Sequence, residues 1–172
     1  MACAIVSGYS LDCKDTVGGI KNIYITELAN VPTAPGQNAS GFVTSITMAA
    51  GKKFFKYALE PRGSNSLEET IDANPQNSTV AYTQTVNANF VKMQYATQQK
   101  LALIVKNRTL VIVETKAGSY FLCGLENGME VSGGKAGTGA AMNDFQGYTL
   151  TLTGMEKEFA NEVDPSIIAA LQ

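Results

Sequence analysis

The sequence predicts a mainly β fold: a β-sandwich or barrel of antiparallel strands, with one amphipathic helix packed on it and long loops between the strands. Three observations carry this expectation. Apolar and polar residues alternate with a period of two over many short stretches, and turn-forming residues recur between them. Charged side chains make up only 16% of the chain, beside 16 glycines and abundant Thr, Ser and Asn, as expected of sheets with neutral polar faces. At 172 residues and 45% hydrophobic content, the chain suits a single domain, 1–172, burying about two-thirds of its unfolded surface. Disorder is excluded as the main state.

Ala4 to Tyr9 reads as a first strand within an N-terminal arm, 1–19, followed by a polar connection from Asp12 to Gly19. Ile23 and Ile25, alternating with Tyr24 and Thr26, mark a second strand. It stops before Val31-Pro32-Thr33-Ala34-Pro35-Gly36, where two prolines forbid a ladder. Phe42, Thr44, Ile46 and Met48 alternate with Val43, Ser45 and Thr47. Ala50-Gly51-Lys52 then turns the chain into a hairpin partner whose Phe55, Tyr57 and Leu59 face is the stronger candidate for burial over Phe54, Lys56 and Ala58. Residues 61–78 read as a long polar loop, since Leu67 and Ile71 are its only large apolar residues.

A strand with Val80, Tyr82, Gln84, Val86, Ala88 and Phe90 on one face follows, with Ala81, Thr83, Thr85 and Asn87 on the other. From Tyr95 to Lys106 the period lengthens: Met93, Thr97, Leu101, Ile104 and Val105 recur every three or four residues, marking the amphipathic helix, with Asn107 as a left-handed terminator. Leu110 to Val113 and Tyr120 to Cys123 form a hairpin across Lys116-Ala117-Gly118-Ser119. Asn127-Gly128 turns into a short strand around Met129 and Val131, and Ser132 to Gly147 reads as glycine-rich and irregular. Tyr148, Leu150 and Leu152, alternating with Thr149, Thr151 and Thr153, make the clearest strand. In the C-terminal tail, 156–172, Pro165 suits the first position of a short helix.

Several chemistries are excluded. Thirteen basic against 15 acidic side chains, a net charge of −2, leave no excess to neutralise a row of phosphates, which argues against tight nucleic-acid binding. With no histidine, the Ser-His-Asp triad, the Cys-His dyad and imidazole zinc sites are absent. Cys3, Cys13 and Cys123 match neither a disulfide framework nor a C-x-x-C metal site; pairing of Cys3 with Cys13 stays open, and Cys123 reads as packing. No apolar run approaches the roughly 20 residues that span a bilayer. The start of the chain lacks the basic residues of a signal peptide, and Ser10-Leu11-Asp12-Cys13 is a poor lipidation box. Gly133-Gly134-Lys135-Ala136-Gly137-Thr138-Gly139 has the wrong spacing for a phosphate loop. Glu68 with Glu69, or Asp144 with Glu126, read as solvated acids before they read as a catalytic pair. The acceptor patterns at Asn38, Asn77 and Asn107 read as chance in a chain so rich in Asn, Ser and Thr. No catalytic residue, cofactor or metal is expected.

Long neutral segments, Val31 to Ser40, Pro61 to Ser78 and Ser132 to Gly147, hang from a modest β core and cost ordering entropy unless something orders them. A self-assembling shell or tube places such segments between subunits, and open strand edges then pair with neighbours. A sugar-binding β-sandwich also has long loops but normally stacks sugars on exposed aromatics, and this chain has no Trp.

The order of elements, with Leu110-Val111-Ile112-Val113-Glu114 running to Gly118-Ser119-Tyr120-Phe121-Leu122-Cys123-Gly124 after the single helix, resembles the tail tube proteins of tailed bacteriophages. Gly147-Tyr148-Thr149-Leu150-Thr151-Leu152-Thr153-Gly154 with Glu156-Lys157-Glu158 is similar to the closing strand in virion structural proteins of phages of gut Bacteroides hosts. The resemblance covers Ile23 to Val163. It implies a non-enzymatic virion protein, made in the host cytoplasm and built into the tail as stacked homohexameric rings through which DNA passes transiently. Partners would be further copies and other tail or neck proteins, with no membrane. Neck, ring or capsid-decoration subunits, and a surface carbohydrate-binding module, are the alternatives. On this reading Leu67, Glu68, Glu69, Ile71, Met142, Asp144 and Phe145 touch neighbouring subunits, and Thr83, Thr85, Asn87, Thr149, Thr151 and Thr153 are candidates for the lumen.

Overall fold

The computed structural model of the chain describes residues 8–10, 14, 16–61 and 63–172. In chain order its elements are β1 (Ile20–Glu27), β2 (Gly36–Gln37), β3 (Val43–Ser45), β4 (Phe55–Ala58), β5 (Ser66–Asn74), β6 (Thr79–Val91), α1 (Tyr95–Lys106), β7 (Thr109–Thr115), β8 (Tyr120–Cys123), β9 (Glu130–Gly137), β10 (Gly147–Glu156), β11 (Asn161–Val163) and α2 (Pro165–Leu171). They form a seven-stranded sheet, ordered β2-β3-β11-β8-β7-β1-β4, and a four-stranded sheet, ordered β5-β6-β10-β9. Pairing among the described residues is antiparallel except between β11 and β3.

The larger sheet is a middle layer, which explains why β1 and β7 carry β-branched residues on both faces. Ile23, Ile25, Val111, Val113 and Cys123 join the core shared with the smaller sheet, while Tyr24, Leu110, Ile112 and Leu122 join a second core with Phe54, Ile168 and Leu171. Helix α2 closes that second core. Pro165 sits in its first turn, Asp164 accepts from the Ser166 amide at 2.8 Å, and the Phe54 amide donates to the Leu171 carbonyl at 2.8 Å. Burial of its Ile168 and Leu171 stabilises a helix too short to persist alone.

The smaller sheet crosses the larger one. On β6, Gln84 accepts through Oε1 from the Gly124 amide just past β8, at 2.9 Å. Six residues on, Phe90 meets Tyr57 of β4 edge to face, with ring centroids 6.0 Å apart. One strand thus traverses the larger sheet from β8 to β4, the arrangement of orthogonal sheet packing. Leu101 and Ile104 of α1 complete this core.

Several expectations are corrected. Residues 61–78 are not a loop throughout: β5 occupies Ser66–Asn74 and pairs with β6 from Ser66↔Asn87 to Asn74↔Thr79. An edge strand with one solvated face carries mostly polar residues and so reads as loop. The glycine-rich segment from Ser132 to Gly147 is strand in its first part, to Gly137, and irregular from 138 to 146; β10 runs so close to that first part that a Cβ on Gly134 would lie 2.6 Å from the Thr149 carbonyl. The hairpin expected between Phe42–Met48 and Phe54–Leu59 does not form; β4 pairs with β1, and β3 with β2 and β11. Phe54 is buried and Phe55 is 55% exposed, because Phe54 precedes the edge strand and turns under α2. Val105 is exposed. Asn107 is extended at φ −112°, and it caps α1 by donating from Nδ2 to the Leu103 carbonyl at 3.0 Å. Of the strand expected over Ala4–Tyr9 only Gly8 and Tyr9 are described, and neither is in a strand; Cys3 and Cys13 lie outside the described residues.

Two polar anchors sit inside this fold. Gln84 also donates from Nε2 to the Glu158 carbonyl at 3.4 Å. Glu114, 5% exposed, accepts from Asn22 at 2.6 Å and from the Tyr24 hydroxyl at 2.8 Å, and pairs with Lys21 at 3.0 Å. Burial alone would push its carboxyl up, but the bonds from Asn22, Lys21 and Tyr24 and the Lys21 charge together hold it below its ordinary value of 4.5.

Gln84→Leu strands the buried Gly124 amide and should cost about 1–3 kcal/mol, read as a lower urea midpoint with an unchanged far-ultraviolet spectrum. Because the folded carboxyl of Glu114 titrates below the unfolded one, its stabilisation is full above pH 4.5 and is lost as pH falls through the lower folded value. Thermal melts of Glu114→Gln from pH 7 to pH 3 should therefore show a shallower acid limb than the parent chain.

Candidate subunit interface

The outer face of the four-stranded sheet is built by register. Tyr148, Leu150, Leu152 and Gly154 of β10 turn inward, so Thr149, Thr151 and Thr153 turn outward, opposite Asn89, Asn87 and Thr85 of β6. All six lumen candidates, Thr83, Thr85, Asn87, Thr149, Thr151 and Thr153, therefore lie on one face. β5 adds Ser66, Glu68, Thr70 and Asp72, and β9 adds Ser132 and Lys135. Short side chains bond across the strands: Thr83 to Asp72 at 2.7 Å, Asn87 to Ser66 at 3.2 Å, Thr151 to Asn87 at 2.9 Å, and Ser132 with Thr153 at 2.8 Å. Among the described residues of β6 and β10, large apolar side chains reach this face only at its ends, as Val91 and Met155. No element among the described residues covers it.

Both outer edges of this sheet lack a ladder partner among the described residues, and helix α1 lies beside β9. β5 and β9, of 9 and 8 residues, are its terminal strands, and each presents one row of backbone groups with no ladder partner among the described residues. Beyond Tyr82 the β5–β6 hairpin also outruns β10, whose pairing ends at Glu156↔Tyr82.

The residues expected to touch neighbours are placed unevenly. Glu68 and Ile71 are exposed on β5. Leu67 packs against the inner core, and Glu69, on the same inward side, accepts from the Ala160 amide at 2.6 Å. Glu68 and Glu69 thus point to opposite faces and form no carboxylate pair. Met142 is fully exposed at the tip of the β9–β10 loop, with Phe145 45% exposed nearby. Asp144 closes that loop by accepting from the Ala140 and Ala141 amides at 2.8 Å each, and these bonds hold its carboxyl below the ordinary range. Glu126 pairs with Lys157 at 2.7 Å, apart from Asp144's contacts.

Reactive chemistry is sparse. Burial, and then the nearby Glu69 and Glu156, push the Cys123 thiol well up. The strand at Gly133–Gly137 leads into β10 and not into a helix, so it has no phosphate-loop geometry. Among the described residues no cluster of three or more potential metal-ligating side chains occurs, and no helix is long and apolar enough to cross a membrane. Sequence reading missed the β5 and β9 contributions to the polar face. For β5 the signal was the alternation of Ser66, Glu68, Thr70, Asp72 and Asn74 with Leu67, Ile71 and Ala73, interrupted by Glu69; the glycine-rich β9 carried none. Comparison of the chain with protein-family models, with curated proteins and with solved structures finds no match.

Asp144→Ala should accelerate amide hydrogen exchange at Ala140 and Ala141 while leaving the melting temperature almost unchanged, because the loop it closes makes no part of either core.

Proposed function

We propose that this chain is a non-enzymatic structural subunit of a phage virion, a tail tube protein whose copies close into homohexameric rings and stack around a DNA conduit. The observation that carries the reading is a solvated, neutral polar sheet face flanked by two unpaired strand edges of similar length. Four antiparallel strands make β5 and β9 run in opposite directions. In a ring with one rotation axis, a β5 edge meeting the β9 edge of the next copy therefore continues the antiparallel ladder without a break, and the sheets join into one barrel. The Thr and Asn face would then line the lumen. Its charged groups are mostly acidic, Glu68, Asp72 and the Arg108-paired Glu130 against Lys135, so passing phosphates find little to hold them. The exposed Ile71 and the Met142–Phe145 loop would meet neighbouring subunits or other tail and neck proteins in the virion, after synthesis in the host cytoplasm.

Negative-stain images of the purified chain should show hollow rings and stacked tubes. Rings that never stack would favour a neck or ring component, and a monomer at every concentration would overturn the reading. Tubes carrying Thr85→Lys and Thr151→Lys should retain duplex DNA at low salt and release it as salt rises, whereas parent tubes retain none.

A further inference from the structure

The chain's charges are nearly balanced in number but not in place. A groove of about 680 Å³ opens between β4, the end of β6 and α1, with Tyr57, Phe90 and Leu103 among its apolar walls. Lys52, Lys53, Lys56 and Lys100 line it, four of the 13 cationic residues of the chain, against the single carboxylate Glu27. Lys53 lies over the ring of the exposed Phe55, 5.7 Å from its centroid.

The other end of the molecule is the complement. β6 runs 13 residues from Thr79 to Val91, about 40 Å at a strand's usual rise. Val91 borders the groove, and Thr79 begins at the tip of the projecting hairpin. No Lys or Arg occurs from Gly63 to Val91. Asp72 sits on the hairpin, and Glu126 and Glu158 flank its base, where the Glu158 carbonyl accepts from Gln84 and the Phe159 ring packs, tilted by 59°, against Tyr82 with centroids 4.5 Å apart. Lys157, the nearby cation, is paired with Glu126. Ile71, Val80 and Phe159 are each about half exposed there and offer an apolar surface to match the groove walls.

We propose that the hairpin end of one copy docks on the lysine-lined groove of the next, head to tail. Complementary patches at opposite ends of one strand cannot satisfy each other within a chain, and a contact between unlike surfaces repeats without limit unless rotation closes it. The proposal rests on the tube reading above, in which this contact joins successive rings.

The test is a charge swap. One variant carries Lys52→Glu, Lys53→Glu and Lys100→Glu; the other carries Asp72→Lys and Glu158→Lys. Each alone presents like charges at both ends and should give rings that do not stack, while an equimolar mixture should restore tubes of parent length. Parent tubes should shorten as salt rises from about 50 mM to about 500 mM, over which screening becomes severe. Variants that stack as the parent does, or a mixture that stays unstacked, would overturn the docking while leaving the rings intact. Should a variant lose its native melt, the neutral set Lys52→Gln, Lys53→Gln and Lys100→Gln is expected to shorten tubes, and unchanged length would again overturn it. If the parent forms no rings the tube reading fails separately, and sedimentation still decides the contact: a mixture heavier than either variant supports docking, and no gain overturns it.

Discussion

Ile23 and Val111 of the larger sheet and Val86 and Leu152 of the smaller one have no exposure to solvent, and they belong to one core formed where the sheets cross. That crossing constrains everything outside it. Because β6 and β10 spend one face on the larger sheet, their other face must be solvated. Past Gln84, where β6 meets the end of β8, the hairpin leaves this core, and residues 71–80 are all exposed. The same crossing leaves the β4 edge and α1 as the walls of a groove at the far end.

The crossing is held by polar bonds at its margins as well as by apolar burial. Gln84 bridges β6 to Gly124 and Glu158, and Glu69 reaches across to the Ala160 amide. Glu156, 5% exposed, accepts from the Glu126 and Asn127 amides. Glu114 gathers Asn22, Tyr24 and Lys21 on the opposite side of the larger sheet. Carboxylates in these positions have their lone pairs met by donors, the condition under which burying them is tolerable. Among the described residues no buried side-chain polar atom lacks a partner. A chain with few charges has thus placed Glu114 and Glu156 inside, while the outer face of the smaller sheet combines threonine, asparagine and serine with the charges of Glu68, Asp72, Glu130 and Lys135.

Legibility in the sequence followed burial contrast. β6 and β10 were readable residue by residue because one face meets a core and the other water, so Val86, Ala88 and Phe90 alternate cleanly with Thr85, Asn87 and Asn89. Helix α1 and the β7–β8 hairpin were equally plain. β5 and β9 were not. Edge strands are half-solvated, and one is rich in glycine for close approach to β10, so neither carries the apolar pattern that marks a strand. Phe54 and Phe55 defeated the reading for another reason: which of two adjacent aromatics is buried depends on where α2 lies, and α2 is more than a hundred residues away in the chain.

By itself, then, the sequence determined the β class, the positions of α1 and α2, and the polarity of the six lumen candidates, all of which follow from periodicity and composition within a dozen residues. Only the tertiary structure decided that those six share one face, that β5 and β9 flank it with free edges, and that a lysine-lined groove and an acidic hairpin stand at opposite ends of β6. The division has a single physical cause. Local alternation records whether a side chain meets water, whereas register and sheet crossing depend on contacts between residues far apart in the chain, about which a run of neighbouring letters carries no information.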